Sequence, residues 1–110
     1  MTFQHKKLAE DRWNDLSLIE QMANLGSEIE RSILWRKRGK KIYFKKAFER
    51  GLELLALTID DPKNKKRLKE LTRLREALTD YFLGENRFRS SDKLWQSYFY
   101  AFNYAARVKC

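Results

Sequence analysis

Among its 110 residues the chain has one cysteine, one histidine, one proline and four glycines. Each scarcity excludes something. A single thiol, Cys110, cannot form an intramolecular disulfide, which fits a reducing compartment. As the final residue it has no prenylation motif after it and reads as an incidental exposed thiol. One histidine, His5, cannot supply the Glu-x-x-His pairs of di-iron bundles or a zinc ligand set. It also excludes helical ribonucleases that place Arg and His a few residues apart. No Gly-rich phosphate loop is present, and no apolar run is long enough to cross a membrane. The start, Met-Thr-Phe-Gln-His-Lys-Lys, lacks an apolar signal region, so the expectation is a cytoplasmic protein.

Few glycines and prolines leave long uninterrupted runs, and strand-like alternation is nowhere sustained. Both favour helices. A chain of this length forms a single domain with one core. Residues 1–16 are weakly patterned and read as an N-terminal arm or short helix docking through Phe3, Leu8 and Trp13. Residues 17–110 read as a four-helix bundle.

Ser17-Leu-Ile-Glu20 is a capping box, in which the serine side chain accepts from one orphan amide and the glutamate reaches back to another. Leu18, Met22, Leu25, Ile29 and Ile33 follow at helical spacing, and Gly39 suits a helix C-terminus. The first helix is expected over about 18–38. The second is expected over about 41–59, with Phe44, Phe48, Gly51, Leu55 and Ile59 as its main stripe. Asp61 and Pro62 stop it and start a third over about 63–83, which carries Leu68, Leu71, Leu74, Leu78 and Phe82. Ser90 and Ser91 offer caps for a fourth over about 92–108. Short connections make the expected architecture an antiparallel up-down-up-down bundle.

The fourth helix is rich in aromatics. Trp95, Phe99, Phe102 and Ala106 can face the core together. Trp95, Tyr98, Tyr100 and Tyr104 are candidates for an oligomer interface, because Tyr and Trp present an apolar body with a polar tip.

Charge is distributed unevenly. The net charge is +9, and the stretch from Arg31 to Phe48 carries eight basic residues and no acid. Helix dipoles favour acids at N-termini and bases at C-termini, each worth about 0.3–1 kcal/mol. The first and fourth helices follow that rule. The second opposes it, with Lys40, Lys41, Lys45 and Lys46 at its start, and so does the third, with Lys63, Lys65, Lys66, Arg67 and Lys69. In an up-down-up-down bundle the first and third turns lie at one end. Arg36, Lys37, Arg38, Lys40, Lys41, Lys45 and Lys46 would then share a pole with Arg87, Arg89 and Lys93. Such a surface suits the phosphate backbone of a nucleic acid. No helix-turn-helix, zinc-finger or aromatic RNA-binding motif accompanies it.

Catalysis is not expected. Glu28, Glu30, Glu49, Glu53, Glu76 and Asp80 resemble in number the magnesium-holding acids of helical nucleotide pyrophosphatases. Yet Arg50, Arg73 and Arg75 stand among them, and surface ion pairing accounts for the set. No metal or cofactor is implied.

Leu16-Ser-Leu-Ile-Glu-Gln-Met-Ala-Asn-Leu-Gly-Ser-Glu-Ile-Glu-Arg31 and Ala47-Phe-Glu-Arg-Gly-Leu-Glu-Leu-Leu-Ala-Leu-Thr-Ile-Asp60 resemble segments of small prokaryotic helical proteins. In size, helix count and basicity the chain is also similar to four-helix proteins encoded in ribosomal RNA intervening sequences. Those resemble the accessory variability determinant of diversity-generating retroelements. That likeness implies a ring-like homo-oligomer binding RNA and a reverse transcriptase. The expected function is therefore non-enzymatic nucleic-acid binding, RNA more than DNA. The alternative is a scaffold that binds an acidic protein through the aromatic face of its fourth helix.

Overall fold

The first long helix begins where its capping box dictates. The Glu20 amide donates to Ser17 Oγ at 3.1 Å, and the Ser17 amide donates to Glu20 Oε1 at 3.0 Å. In the computed structural model, which describes residues 10–108, this helix, α1, spans Leu18–Lys37. It ends in a Schellman turn: the Gly39 amide reaches the Arg36 carbonyl at 3.0 Å and the Lys40 amide reaches that of Trp35 at 2.9 Å. Gly39 has φ +70°, a conformation that favours glycine. Helices α2 (Lys41–Asp60), α3 (Leu68–Leu83) and α4 (Asp92–Val108) follow, and residues 10–14 are helical before α1. No strand occurs among the described residues, and none of their helices is long and apolar enough to cross a membrane. Phe3, His5, Leu8, Lys109 and Cys110 lie outside the described residues.

One expected boundary is corrected. Pro62–Arg67 is a 3-10 helix, and the α-helical part of the third element starts only at Leu68. Asp61 caps it, accepting from the Lys63 amide at 3.1 Å, and the turn buries Asn64. Leu68, expected in the core stripe, is therefore an exposed first residue. The charge reading of this element changes too. Most of the Lys63–Lys69 cluster rides on the 3-10 turn, and the first turn of α3 holds Glu70 beside Lys69. Among the long helices of the described residues α2 opposes its dipole most clearly, with no acid in its first turn and no base in its last.

Helix α1 packs against α2 on one side and α4 on the other, and α2 packs against α3. Met22, Leu25, Ile29 and Ile33 of α1 meet Phe48, Leu54 and Leu55 of α2, Leu71, Leu74, Leu78 and Phe82 of α3, and Trp95 and Phe99 of α4 in one core. Phe44, Ile59 and Phe102 are half-buried at its margin. Two glycines set the approach of α1 to its neighbours. A Cβ built on Gly26 would lie 2.7 Å from Phe99 Cβ, and one on Gly51 would lie 3.3 Å from Ile29 Cδ1.

Where the start of α1 meets the 3-10 turn, the core is closed by a buried polar network. Trp13 Nε1 donates to Thr58 Oγ1 at 3.0 Å. Gln21 Nε2 donates to the Trp13 carbonyl at 2.9 Å and to Asp61 Oδ2 at 2.8 Å. Asn64 Nδ2 donates to Gln21 Oε1 at 2.8 Å and to the Thr58 carbonyl at 3.0 Å. Burial alone would raise the Asp61 carboxyl, but the Lys63 ammonium and Gln21 amide outweigh it and hold it below the ordinary range. Buried polar groups persist when each is bonded, and this network fixes Trp13 against α2.

Gly26→Ala should destabilise the fold by about 1–3 kcal/mol in urea unfolding, because the new methyl meets a Cβ that cannot swing away. Gly51→Ala should be the milder change, since Ile29 Cδ1 is the flexible end of a side chain.

Candidate nucleic-acid interface

Three helix ends are joined by one arginine. Arg36, in the last turn of α1, forms an ion pair with Asp92, the first residue of α4, and its Nη2 lies 3.4 Å from the Tyr81 hydroxyl near the end of α3. Tyr81 in turn donates to Asp92 Oδ1 at 2.5 Å. The guanidinium carbon sits 5.2 Å from the ring centroids of both Tyr81 and Phe82, so the charge is held against aromatic faces as well. Phe82 also meets Phe48 and Phe44, at 5.0 and 6.0 Å between centroids. These contacts bring the α1–α2 turn and the α3–α4 connection to the same end of the core.

Burial would lower the Arg36 pKa and raise that of Asp92. The Arg36–Asp92–Tyr81 bonds outweigh it for both, so Arg36 is raised and Asp92 lowered. Lys37 adds to the effect on Asp92. For Tyr81, burial is the larger cause and the Asp92 bond assists it, so its pKa rises.

The ten basic residues singled out in the sequence therefore differ. Arg36 is half-buried and already committed to Asp92, Tyr81 and Phe82. Arg38 is exposed, with its guanidinium 5.7 Å from the Trp35 ring centroid. Lys37, Lys40, Lys41, Lys45, Lys46, Arg89 and Lys93 are exposed, and among the described residues none of them forms an ion pair. Arg87 pairs only with Glu85, at 3.2 Å and with both side chains open to water. Such a pair is worth little, so its charge is available outward.

The loop from Gly84 to Ser91 has more internal order than its sequence suggests. Asp80 accepts from two loop amides, Arg87 N–H at 2.8 Å and Phe88 N–H at 3.0 Å. This corrects its reading as a surface ion-pairing acid. Asn86 bonds both ways to Ser90, accepting from its amide at 2.8 Å and donating to its carbonyl at 3.0 Å. Asn86 and Arg89 both have left-handed backbones, φ 56° and 53°, a conformation that asparagine tolerates but that costs Arg89 roughly 1–2 kcal/mol. Ser91 then caps α4, accepting from the Leu94 amide at 3.1 Å. Between these anchors stands Phe88, 62% exposed.

The four aromatic candidates on α4 separate into two pairs. Trp95 is buried, and its Nε1 has no hydrogen-bond partner among the described residues. Tyr98 is half-buried and edge-on to both Trp95 and Phe99. Burial, with Glu70 assisting, raises its pKa. Tyr100 and Tyr104 are exposed and stacked 6.5 Å apart. Tyr100 borders an open groove of about 500 Å³ between α1 and α4, whose walls include Leu34, Gln96 and Phe99.

Of the acids considered for metal binding, Glu28 pairs with Arg31 and Glu53 with Arg50, while Glu30 accepts from Gln96. No group of His, Cys, Asp and Glu among the described residues is arranged to hold a metal ion. No known protein family matches the chain, and neither curated proteins nor solved structures give a significant match.

Asp92→Asn should weaken the fold by about 1–2 kcal/mol at neutral pH, the size expected for a hydrogen bond to a charged group. The sign with pH follows from the lowered folded-state pKa. The Asp92 contribution is present above the unfolded value near 3.8 and is lost as pH falls through the lower folded value. Urea midpoints measured from pH 7 to pH 2.5 should therefore fall less steeply for the variant than for the parent chain.

Proposed function

We propose that this chain is a non-enzymatic, antiparallel up-down-up-down four-helix bundle that binds nucleic acid, RNA more than DNA, through phosphate contacts. The observation that carries this reading is the corner from Lys37 to Lys46. Lys40, Lys41, Lys45 and Lys46 lie at the wrong end of α2 for the helix dipole and lack ion-pair partners among the described residues. A cluster that opposes its own helix is supported better by an external polyanion than by internal stabilisation. Arg87, Arg89 and Lys93 extend the surface across the second connection, while Arg36 ties the two connections together. The similarity in layout to proteins encoded in ribosomal RNA intervening sequences favours RNA. On this reading the protein acts in the cytoplasm, as an accessory factor of a retroelement-type complex.

A second reading rests on Tyr100 and Tyr104, an exposed stacked pair beside the α1–α4 groove. Such residues favour contact with another protein surface: under the first reading a further copy of this chain in a homo-oligomer, under the second an acidic partner for which the bundle serves as scaffold.

Affinity for an unstructured RNA should fall steeply with salt. Exchanging Lys40, Lys41, Lys45 and Lys46 for Gln should reduce the slope of log K against log[salt] by up to about 3, at roughly 0.7 for each phosphate no longer neutralised. A slope that the exchange leaves unchanged argues against this corner as the binding surface. Tyr100→Glu with Tyr104→Glu should reduce the mass measured by light scattering to that of a monomer while leaving the salt slope intact. An unchanged mass would remove the support for self-association through this face.

A further inference from the structure

We infer that the basic pole takes single-stranded rather than duplex RNA, with Phe88 and Tyr43 as surfaces on which unpaired bases stack. This rests on the RNA-binding reading above and specifies its substrate. An isolated exposed apolar side chain is ordinary on a protein surface. Phe88 differs in how it is held. Its own amide and that of Arg87 are fixed by the two oxygens of Asp80, and Asn86 ties the loop to Ser90. Left-handed residues at positions 86 and 89 bracket it. A loop with this many internal bonds presents Phe88 outward by construction and not through slack, between the cationic side chains of Arg87 and Arg89. Sparsely populated backbone conformations of this kind concentrate at binding and functional sites.

The start of α2, at this same end, repeats the composition. Tyr43 is 55% exposed, backed by the Trp35 ring at 5.0 Å between centroids, with Lys40, Lys41, Lys45 and Lys46 around it in sequence. The Arg36–Asp92 pair joins these two connections. Exposed aromatic faces set among cations are what unpaired nucleotides reward, since the cations follow the phosphates and the rings receive the bases. A duplex offers phosphates to the cations but keeps its bases stacked on each other, leaving Phe88 and Tyr43 in water. Ile42 and Leu83 are also exposed at the helix termini near these connections. Even so, an interfacial membrane anchor uses a continuous apolar helix face, whereas here Phe88 stands on a loop and Tyr43 in the first turn of α2.

The test compares binding of a labelled 12-nucleotide oligouridylate, an RNA duplex of equal phosphate count and phosphatidylserine-containing vesicles at one fixed salt concentration. The oligouridylate should bind at least about fivefold more tightly than the duplex. Phe88→Ala should weaken oligouridylate binding about tenfold, the size of one base–aromatic stack, with duplex binding unchanged, and Phe88→Trp should retain it. Thermal melts of both variants should match the parent chain, as expected for an exposed side chain. Equal or tighter duplex binding, equal losses on both RNAs, or Phe88-dependent binding to vesicles without a preference for the single strand would overturn the inference while leaving phosphate binding in place. Failure to bind either RNA even at low salt would instead overturn the RNA-binding reading itself.

Discussion

Helix α1 is gripped from two sides, and the arrangement depends on how closely its neighbours approach. Gly26 admits the Phe99 side chain of α4 to a distance that any Cβ would block, and Gly51 of α2 receives Ile29 of α1. Close approach on both flanks lets one twenty-residue helix serve as the shared wall of the core. Its two ends are then tied by different chemistry. Near its start, Gln21 is fully buried and bonded to Trp13, Asp61 and Asn64. Near its end, Arg36 reaches Asp92 and Tyr81. Apolar packing sets the spacing of the helices, and the polar ties set which helix ends meet.

Those ties leave the two ends electrostatically unlike. In the Gln21 network almost every polar group is occupied, and Lys63 is matched to Asp61. At the Arg36 end one internal pair stands among exposed cations, of which only Arg87 has an ion-pair partner among the described residues. Exposed unpaired lysines are ordinary when scattered and screened by salt. Their concentration on an acid-free corner, at the start of a long helix that opposes its dipole, sets this end apart.

Much of this architecture is legible in the residues. The capping box at Ser17, the turn at Gly39, the cap at Asp61 and the extents of α1, α2 and α4 follow from local chemistry, because caps and turns depend on neighbours a few positions apart. The 3-10 turn at Pro62–Arg67 is not legible, since Asn64 is drawn inward by bonds to Gln21 and Thr58 that only the folded chain supplies. For the same reason Gln21 passes for an ordinary surface residue until Trp13 and Asp61 close around it. At the basic pole, counting charges places Arg36 among ten equivalent cations, and only the positions of Tyr81 and Asp92 show that it belongs to the scaffold. Asp80 is hidden in a similar way. Its nearest basic neighbours along α3 suggest ion pairs, but its partners are backbone amides presented by a loop that turns back on the helix.

The loop and the corner combine departures of two kinds. At several other places local preference and tertiary packing agree: α1 is capped at both ends, α4 starts with an acid and a serine cap, and the Gln21 and Asn64 amides are bonded. At this end the departures are the cations at the start of α2, the left-handed Arg89, and the exposed Phe88 and Tyr43. Sequences that fold to a single structure are locally consistent, and departures from that consistency fall most often where a surface serves something other than stability. An anion that meets the lysines and an unpaired base that covers the rings would relieve charge repulsion and apolar exposure together. One ligand class satisfying both departures is a stronger reason to look to this end than either its charge or its aromatics taken alone.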